Sequence, residues 1–218
     1  MKLIRWSGLV LLAAGLHLVA PVAEPLNLST AKAAVLYYVD SGNYGREVAG
    51  VADEAKAWIT DRASQRREGE KLALVLDIDE TALTNLPHMR EMDFGYLPAM
   101  WDDWVAEAAA QPIGPVLEVY QLARRLDVAV FFITGRKESD RPGTERNLRA
   151  IGYADYVELL MQPNDTRTNT RVFKTGARRE LERAGWIIIA NVGDQESDLA
   201  GGAAEKTFKV PNPFYRIE

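Results

Sequence analysis

Three short polar clusters carry the residues of this chain best suited to chemistry: Asp77-Ile78-Asp79-Glu80-Thr81, Thr134-Gly135-Arg136 and Gly193-Asp194-Gln195-Glu196-Ser197-Asp198, with Lys174 between the last two. Four or five carboxylates gathered in one place repel each other and require a counter-charge. An oxygen-rich set with few nitrogen ligands suits Mg²⁺, which keeps several of its waters. Lys174 adds a second positive charge. A divalent cation, a lysine, a threonine hydroxyl and a glycine-flanked turn together suit the oxygens of a phosphate. Cysteine is absent and the only histidines are His17 and His88. Disulfides, thiolate zinc, iron–sulfur clusters, cysteine nucleophiles and a three-histidine metal centre are therefore excluded. A Ser-His-Asp triad would have to use His88, which leaves carboxylates as the nucleophile candidates.

These clusters need elements that bring them together. Each of the three follows an apolar run: Leu72–Leu76, Val128–Ile133 and Trp186–Val192. Continuous apolar runs of this length are expected of strands buried on both faces. Tyr156–Met161 is a weaker fourth run and Thr207–Val210 a short edge. Helical spacing is read over Lys32–Arg67, ended by Gly69, and over Val116–Arg125, Thr144–Ile151 and Lys174–Ala184, the last opened by Lys174. Strands alternating with helices predict an α/β fold with a mainly parallel sheet. In such sheets ligands bind at the carboxyl ends of the strands, where all three clusters fall. Residues 84–114, rich in aromatics and Met, interrupt the alternation. They are read as a small insertion over the sheet's edge, more core than ligand surface, although a stacking surface for a nucleobase or aryl group is the sharper alternative. His88, inside this segment, is expected at the surface or in the cap.

Lys2 and Arg5 precede the apolar stretch Leu9–Ala20, which is too short to span a bilayer. Residues 1–23 therefore read as a signal peptide, and export to a periplasm or the medium is expected, with no stable membrane anchor after processing. Removing them takes away Lys2 and Arg5 and no acid, so the formal charge moves from −5 to −7. This charge does not favour nucleic-acid binding. Residues 24–30 read as a linker and 24–218 as one domain. Asn27-Leu28-Ser29 and Asn164-Asp165-Thr166 match the glycosylation pattern, which arises often by chance.

The motifs Leu76-Asp77-Ile78-Asp79-Glu80-Thr81-Ala82-Leu83-Thr84-Asn85, Ile133-Thr134-Gly135-Arg136-Lys137-Glu138, Thr144-Glu145-Arg146-Asn147-Leu148, Gly193-Asp194-Gln195-Glu196-Ser197-Asp198-Leu199 and Lys209-Val210-Pro211-Asn212-Pro213-Phe214-Tyr215 resemble, in order, the haloacid dehalogenase superfamily. The resemblance is closest to its class B-like, subfamily IIIB acid phosphatases, the branch that includes plant vegetative storage proteins. It implies a Rossmann-like parallel sheet with an N-terminal helical segment and a small cap-like insertion.

The resemblance also implies roles. Asp77 would attack phosphorus and carry an aspartyl-phosphate. Asp79 would protonate the leaving alcohol and then activate water, which calls for a raised pKa. Thr134 and the Gly135 N–H would hold phosphate oxygens, Arg136 would join them or meet only an acidic neighbour, and Lys174 would bridge the nucleophile and the phosphoryl group. Mg²⁺ would be held by Asp77, the main-chain carbonyl of Asp79 and Asp194, with Asp198 nearby. The substrate class implied is a small-molecule phosphomonoester. Lys174-Thr175-Gly176 departs from the family's usual Lys-Ser, and Glu196 stands where plant relatives often carry an aromatic. A non-catalytic storage protein on the same fold is the competing expectation. A phospho-acceptor receiver domain is opposed by the placement of Asp77 on the first buried strand.

Overall fold

The computed structural model describes residues 24–165 and 168–217. The predicted signal segment 1–23 lies outside them, as does Thr166 of the second glycosylation match. Five strands form one parallel sheet: β1 (Lys71–Leu76), β4 (Ala129–Lys137), β5 (Glu158–Gln162), β6 (Trp186–Gly193) and β7 (Thr207–Lys209), in the order β5-β4-β1-β6-β7. The first strand in sequence is thus central in space. The chain lays β4 and β5 on one side of β1, then crosses back to lay β6 and β7 on the other, so β1 sits at the point where the winding reverses.

Alternate residues of the apolar runs serve opposite faces of the sheet. Leu72, Leu74, Leu76, Val130 and Phe132 face a core built with α2 (Asn43–Ser64) and α5 (Gly114–Arg125). Ala73, Val75, Phe131 and Ile133 face Ala177 and Leu181 of α7 (Thr170–Arg183). Burying each such Leu, Val or Phe is worth roughly 1.5–3 kcal/mol. The register between β1 and β6 shifts at Ala73/Leu74, passing over Ile189. Its carbonyl accepts the Trp58 indole N–H at 2.7 Å, which ties α2 to the sheet.

The long N-terminal helix expected from Lys32 to Arg67 is two helices. α1 (Leu28–Asp40) ends at Ser41, and Gly42, at φ +77°, caps α2 in a left-handed conformation that glycine adopts without strain. Periodicity alone runs through such a break. The expected linker is also shorter than read: Asn27, of the first glycosylation match, is the N-cap of α1, its side chain accepting the N–H groups of Ser29 and Thr30.

The insertion holds α3 (Leu86–Glu91) and α4 (Pro98–Glu107), flanked by a two-stranded antiparallel pair, β2 (Leu83–Thr84) with β3 (Gln111–Pro112). α3, α4, α5 and α6 (Arg141–Ala150) each carry a proline in the first two positions, where its missing N–H costs nothing. Gly143 of α6 lets α4 come close, since a Cβ there would meet the Val105 carbonyl oxygen at 2.2 Å. The insertion does not simply cover the sheet's edge. Met89, Phe94 and Trp101 overhang the carboxyl ends of the strands and wall the cavity described next.

Candidate active site

Register brings the sequence clusters to one rim. Leu76 pairs with Phe132 on one side and Val192 on the other. Asp77 follows Leu76 directly, Thr134 lies two residues past Phe132, and Asp194 two past Val192. The Asp77 N–H donates to the Val192 carbonyl at 3.0 Å, which holds the ladder up to the site. A turn then carries the chain off the sheet. The N–H groups of Ala82 and Leu83 both return to the Ile78 carbonyl at 2.9 Å. Glu80 takes φ +55° in this turn. It is held there because its carboxylate accepts the Asn85 N–H at 2.6 Å and the Asn85 amide at 3.0 Å.

Lys174 is buried one turn inside α7, not at its start; Asn169 caps that helix by accepting the Arg171 N–H at 2.8 Å. The Lys174 ammonium bridges Asp77 and Asp198, at 2.5 Å from each. Burial opposes its charge, but Asp77 and Asp198 outweigh burial and raise its pKa. Asp198 also accepts the Gln195 N–H at 2.8 Å, so it caps α8 (Glu196–Leu199) and serves the cluster at once. Gly193 makes room for it: a Cβ there would lie 2.5 Å from the Asp198 Cβ and 2.6 Å from its Oδ2. Arg178, fully buried one turn along from Lys174, donates to the carbonyls of Asp198 and Ala200 and fastens this loop.

Asp77, Asp194 and Asp198 are buried, and each offers an oxygen within 4.8 Å of the others'. Burial first, then the charges of Asp198, Asp194 and Asp79, push the Asp77 pKa well up against the pull of Lys174. Burial and Asp198 likewise raise Asp194. Three carboxylates therefore face one ammonium, and the balance is two charges short. An all-oxygen donor set with that deficit fits a hard divalent cation such as Mg²⁺.

Asp79 stands apart from this trio. Arg136 grips its carboxylate through Nε at 3.1 Å to both oxygens and through Nη2 at 2.6 Å, while the Asn85 amide donates at 2.8 Å. Burial raises the Asp79 pKa, but the charge and hydrogen bonds of Arg136, with the Asn85 amide, prevail and hold it below the usual carboxylate range. The raised value expected from the sequence is thus not what the protein alone provides. Of the two partners open to Arg136, substrate or an acidic neighbour, the structure shows the acid, Asp79. Arg136 lines the cavity with Gly135. Thr134 is fully buried beneath them, and its hydroxyl accepts the Arg136 N–H at 3.1 Å.

The cavity over these groups holds about 470 Å³. Its charged floor is Asp77, Asp194, Asp198 and Lys174; its roof is Phe94, Tyr96, Trp101 and His88. Trp101 lies against the Arg136 guanidinium at 5.2 Å. Trp104 donates to the Asn85 side-chain oxygen at 2.8 Å and stacks on His88 at 5.5 Å. Of its two expected places, surface or cap, His88 is not at the surface: it is buried in the insertion, pressed between two tryptophans. Of this segment, Tyr96, Leu97 and Met100 are exposed and Met89 is buried, while Met89, Phe94, Tyr96 and Trp101 line the cavity.

A helix-flanked parallel sheet with this carboxylate–lysine rim is a haloacid dehalogenase-like fold. The family model described as HAD superfamily, subfamily IIIB (acid phosphatase) matches residues 16–218, and the chain belongs to this family. It is accordingly a phosphoric monoester hydrolase in class. Acid phosphatase 1 of Solanum lycopersicum is 33% identical over 187 residues, covering 83% of this chain and 72% of that protein. A stem 28 kDa glycoprotein of Glycine max is 35% identical over 155 residues, 68% of this chain and 61% of its own length. The class C acid phosphatase from Bacillus anthracis superposes with a TM-score of 0.70 at 25% identity, over 86% of this chain and 84% of that one. Vegetative storage protein 1 of Arabidopsis thaliana, 28% identical over 147 residues, is also similar.

Proposed function

We propose that this protein is an exported, Mg²⁺-dependent acid phosphatase that hydrolyses small phosphomonoesters through an aspartyl-phosphate on Asp77. The observation that carries this reading is the convergence of Asp77, Asp198 and Lys174, with Asp194 beside them, on the floor of an open cavity. Asp77, Asp194 and Asp198, with the Asp79 main-chain carbonyl, would hold the metal, which when bound neutralises carboxylate and phosphate charge.

An Asp77 carboxylate oxygen attacks phosphorus and the bond from phosphorus to the ester oxygen breaks. Asp79 passes its proton to the departing oxygen, so the alcohol leaves neutral. Water then attacks phosphorus, gives its proton to Asp79, and the bond from phosphorus to Asp77 breaks, releasing inorganic phosphate and restoring both carboxyl groups. Lys174 keeps Asp77 aimed and offsets its charge, while Gly135 and Arg136 border the place of the phosphate oxygens. When Arg136 turns to a phosphate, it relaxes its hold on Asp79 and lets that group take up the proton it must donate. The aromatic roof suits a flat leaving group. No helix of the described residues is long and apolar enough to cross a membrane.

The test is hydrolysis of an aryl phosphate by metal-loaded protein between about pH 5 and 7, with and without EDTA. Turnover that EDTA abolishes, Mg²⁺ restores and Asp77→Asn eliminates supports the reading. Absence of turnover in folded, metal-loaded protein moves the chain to the storage role that some relatives' names carry.

A further inference from the structure

The residues after β7 return across the site. Asn212 donates its amide to Asp194 Oδ2 at 2.6 Å, and Gln195 donates to the same oxygen at 2.5 Å. Oδ1 of Asp194 accepts the Thr81 hydroxyl at 3.2 Å. Asn212 also shapes its own turn, its side-chain oxygen accepting the Phe214 N–H at 2.8 Å and the Tyr215 N–H at 3.3 Å. Gln195 holds the same segment from the other side, accepting the Ile217 N–H at 3.0 Å. Phe214 then stacks with Phe94 of the roof at 6.4 Å, and the Tyr215 hydroxyl donates to Glu80 at 2.9 Å. One short stretch thereby touches the Asp194 carboxylate, the Asp79–Glu80 turn and the roof.

We propose that Asn212 is a positioning residue for the cation site, its amide fixing the Asp194 carboxylate in the orientation that completes the set with Asp77 and Asp198. The inference rests on the reading of those three aspartates as the cation site. A carboxylate at the end of a strand can rotate freely about two bonds. Here three donors from three parts of the chain fix it. Asn212 does so with an amide whose oxygen orders the turn that carries it, and Gln195 with one whose oxygen holds Ile217 of the same segment. Outer partners of this kind typically set metal affinity within a range of about 10- to 100-fold.

Asn212→Ser separates positioning from simple anchoring. A serine hydroxyl can still accept the N–H two residues on and keep the turn, but it cannot reach Asp194. Direct Mn²⁺ binding, followed by electron paramagnetic resonance, and Mg²⁺ binding, followed by calorimetry, are compared with the metal-free melting temperature. The expected result is a dissociation constant raised about 10-fold with the metal-free melting temperature near wild type. An unchanged constant with a lowered melting temperature overturns the proposal and leaves Asn212 as an anchor.

Asn212→Asp keeps size and turn but sets a second carboxylate against Asp194. Should the serine variant not fold, an unchanged constant in the aspartate variant overturns the proposal equally. Tyr215→Phe removes the bond to Glu80 and leaves that to Asp194, so its dissociation constant should stay within about two-fold of wild type. A rise there equal to that of Asn212→Ser overturns the specific role of Asn212. Wild-type protein that binds neither ion contradicts the cation reading itself, a failure distinct from any of these.

Discussion

Replacing Arg136 with Gln should unlock Asp79, and the effect can be worked through in energy and in pH. Only 2% of the Arg136 side chain is exposed, against 20% of its partner. The variant loses the Asp79 grip, a donor to the Thr144 hydroxyl at 3.1 Å and the contact with Trp101. Breaking a buried pair from one side costs about 3–5 kcal/mol. The carboxylate has an escape, because it can protonate, which limits the cost to about 1.4 kcal/mol for each pH unit above its new pKa. With a fifth of Asp79 reaching solvent, the lower end applies, and about 3 kcal/mol is expected near pH 7.

The sign with pH follows from the depressed Asp79 pKa. Its stabilising contribution is present above the unfolded carboxylate value and is lost as pH falls through the folded one. The gap between wild type and Arg136→Gln should therefore narrow at about pH 4 and below. Urea unfolding of Arg136→Gln, Asp79→Asn and the double variant at both pH values measures this as a coupling energy. The alkaline limb of kcat/KM for substrates with poor leaving groups should move upward in Arg136→Gln, since the proton Asp79 must donate is then held to higher pH. A pH-independent loss with no coupling to Asp79 would refute the reasoning.

Other expectations concern neighbouring groups. Burial, then the charge of Asp79, pushes the Glu80 pKa up to about 8. The folded protein thus favours protonated Glu80, and the stability it contributes is full below the ordinary Glu value and is lost as pH rises through about 8. Glu80→Gln should flatten the stability profile over that interval in thermal unfolding; an unchanged slope would show that Glu80 titrates normally. Lys174→Met leaves Asp77 and Asp198 facing each other without their shared cation, so turnover should vanish and stability fall by about 3–5 kcal/mol at neutral pH, with added Mg²⁺ recovering part of the stability in a melting assay. Gly193→Ala forces Asp198 to move, and its Mg²⁺ affinity should fall about 10-fold or more by calorimetry; wild-type affinity would mean that the loop yields elsewhere.

Much of this was legible in the chain. Apolar runs of five to seven residues marked β1, β4 and β6, and the polar clusters directly after them marked the rim, because ligands in such a sheet bind at the carboxyl ends of its strands. Asp77, Lys174, Asp194 and Asp198 were brought together as those positions implied. Periodicity missed the break at Gly42, since the apolar spacing runs on through a left-handed residue. It left open whether Arg136 meets substrate or an acid, without naming Asp79, and it missed the amide of Asn212 on Asp194; these pairs join positions 57 and 18 residues apart. Such partnerships depend on where loops return, which no local pattern encodes. The tail Lys209–Tyr215 carried a signal of sorts, as one of the stretches resembling the family, but nothing in it named Asp194 as the target.

The central place of β1 bears on how the chain assembles. Leu76 meets Phe132 only after 56 residues more have been made, and Val192 only after 116. Long-range parallel pairings of this kind form slowly. Until β6 arrives, the largely buried, apolar β1 presents an open edge on one side, a template for the same strand of another unfinished copy. A chain interrupted anywhere between α6 and β6 would therefore be prone to clump, and its yield should depend on how promptly that second flank is delivered.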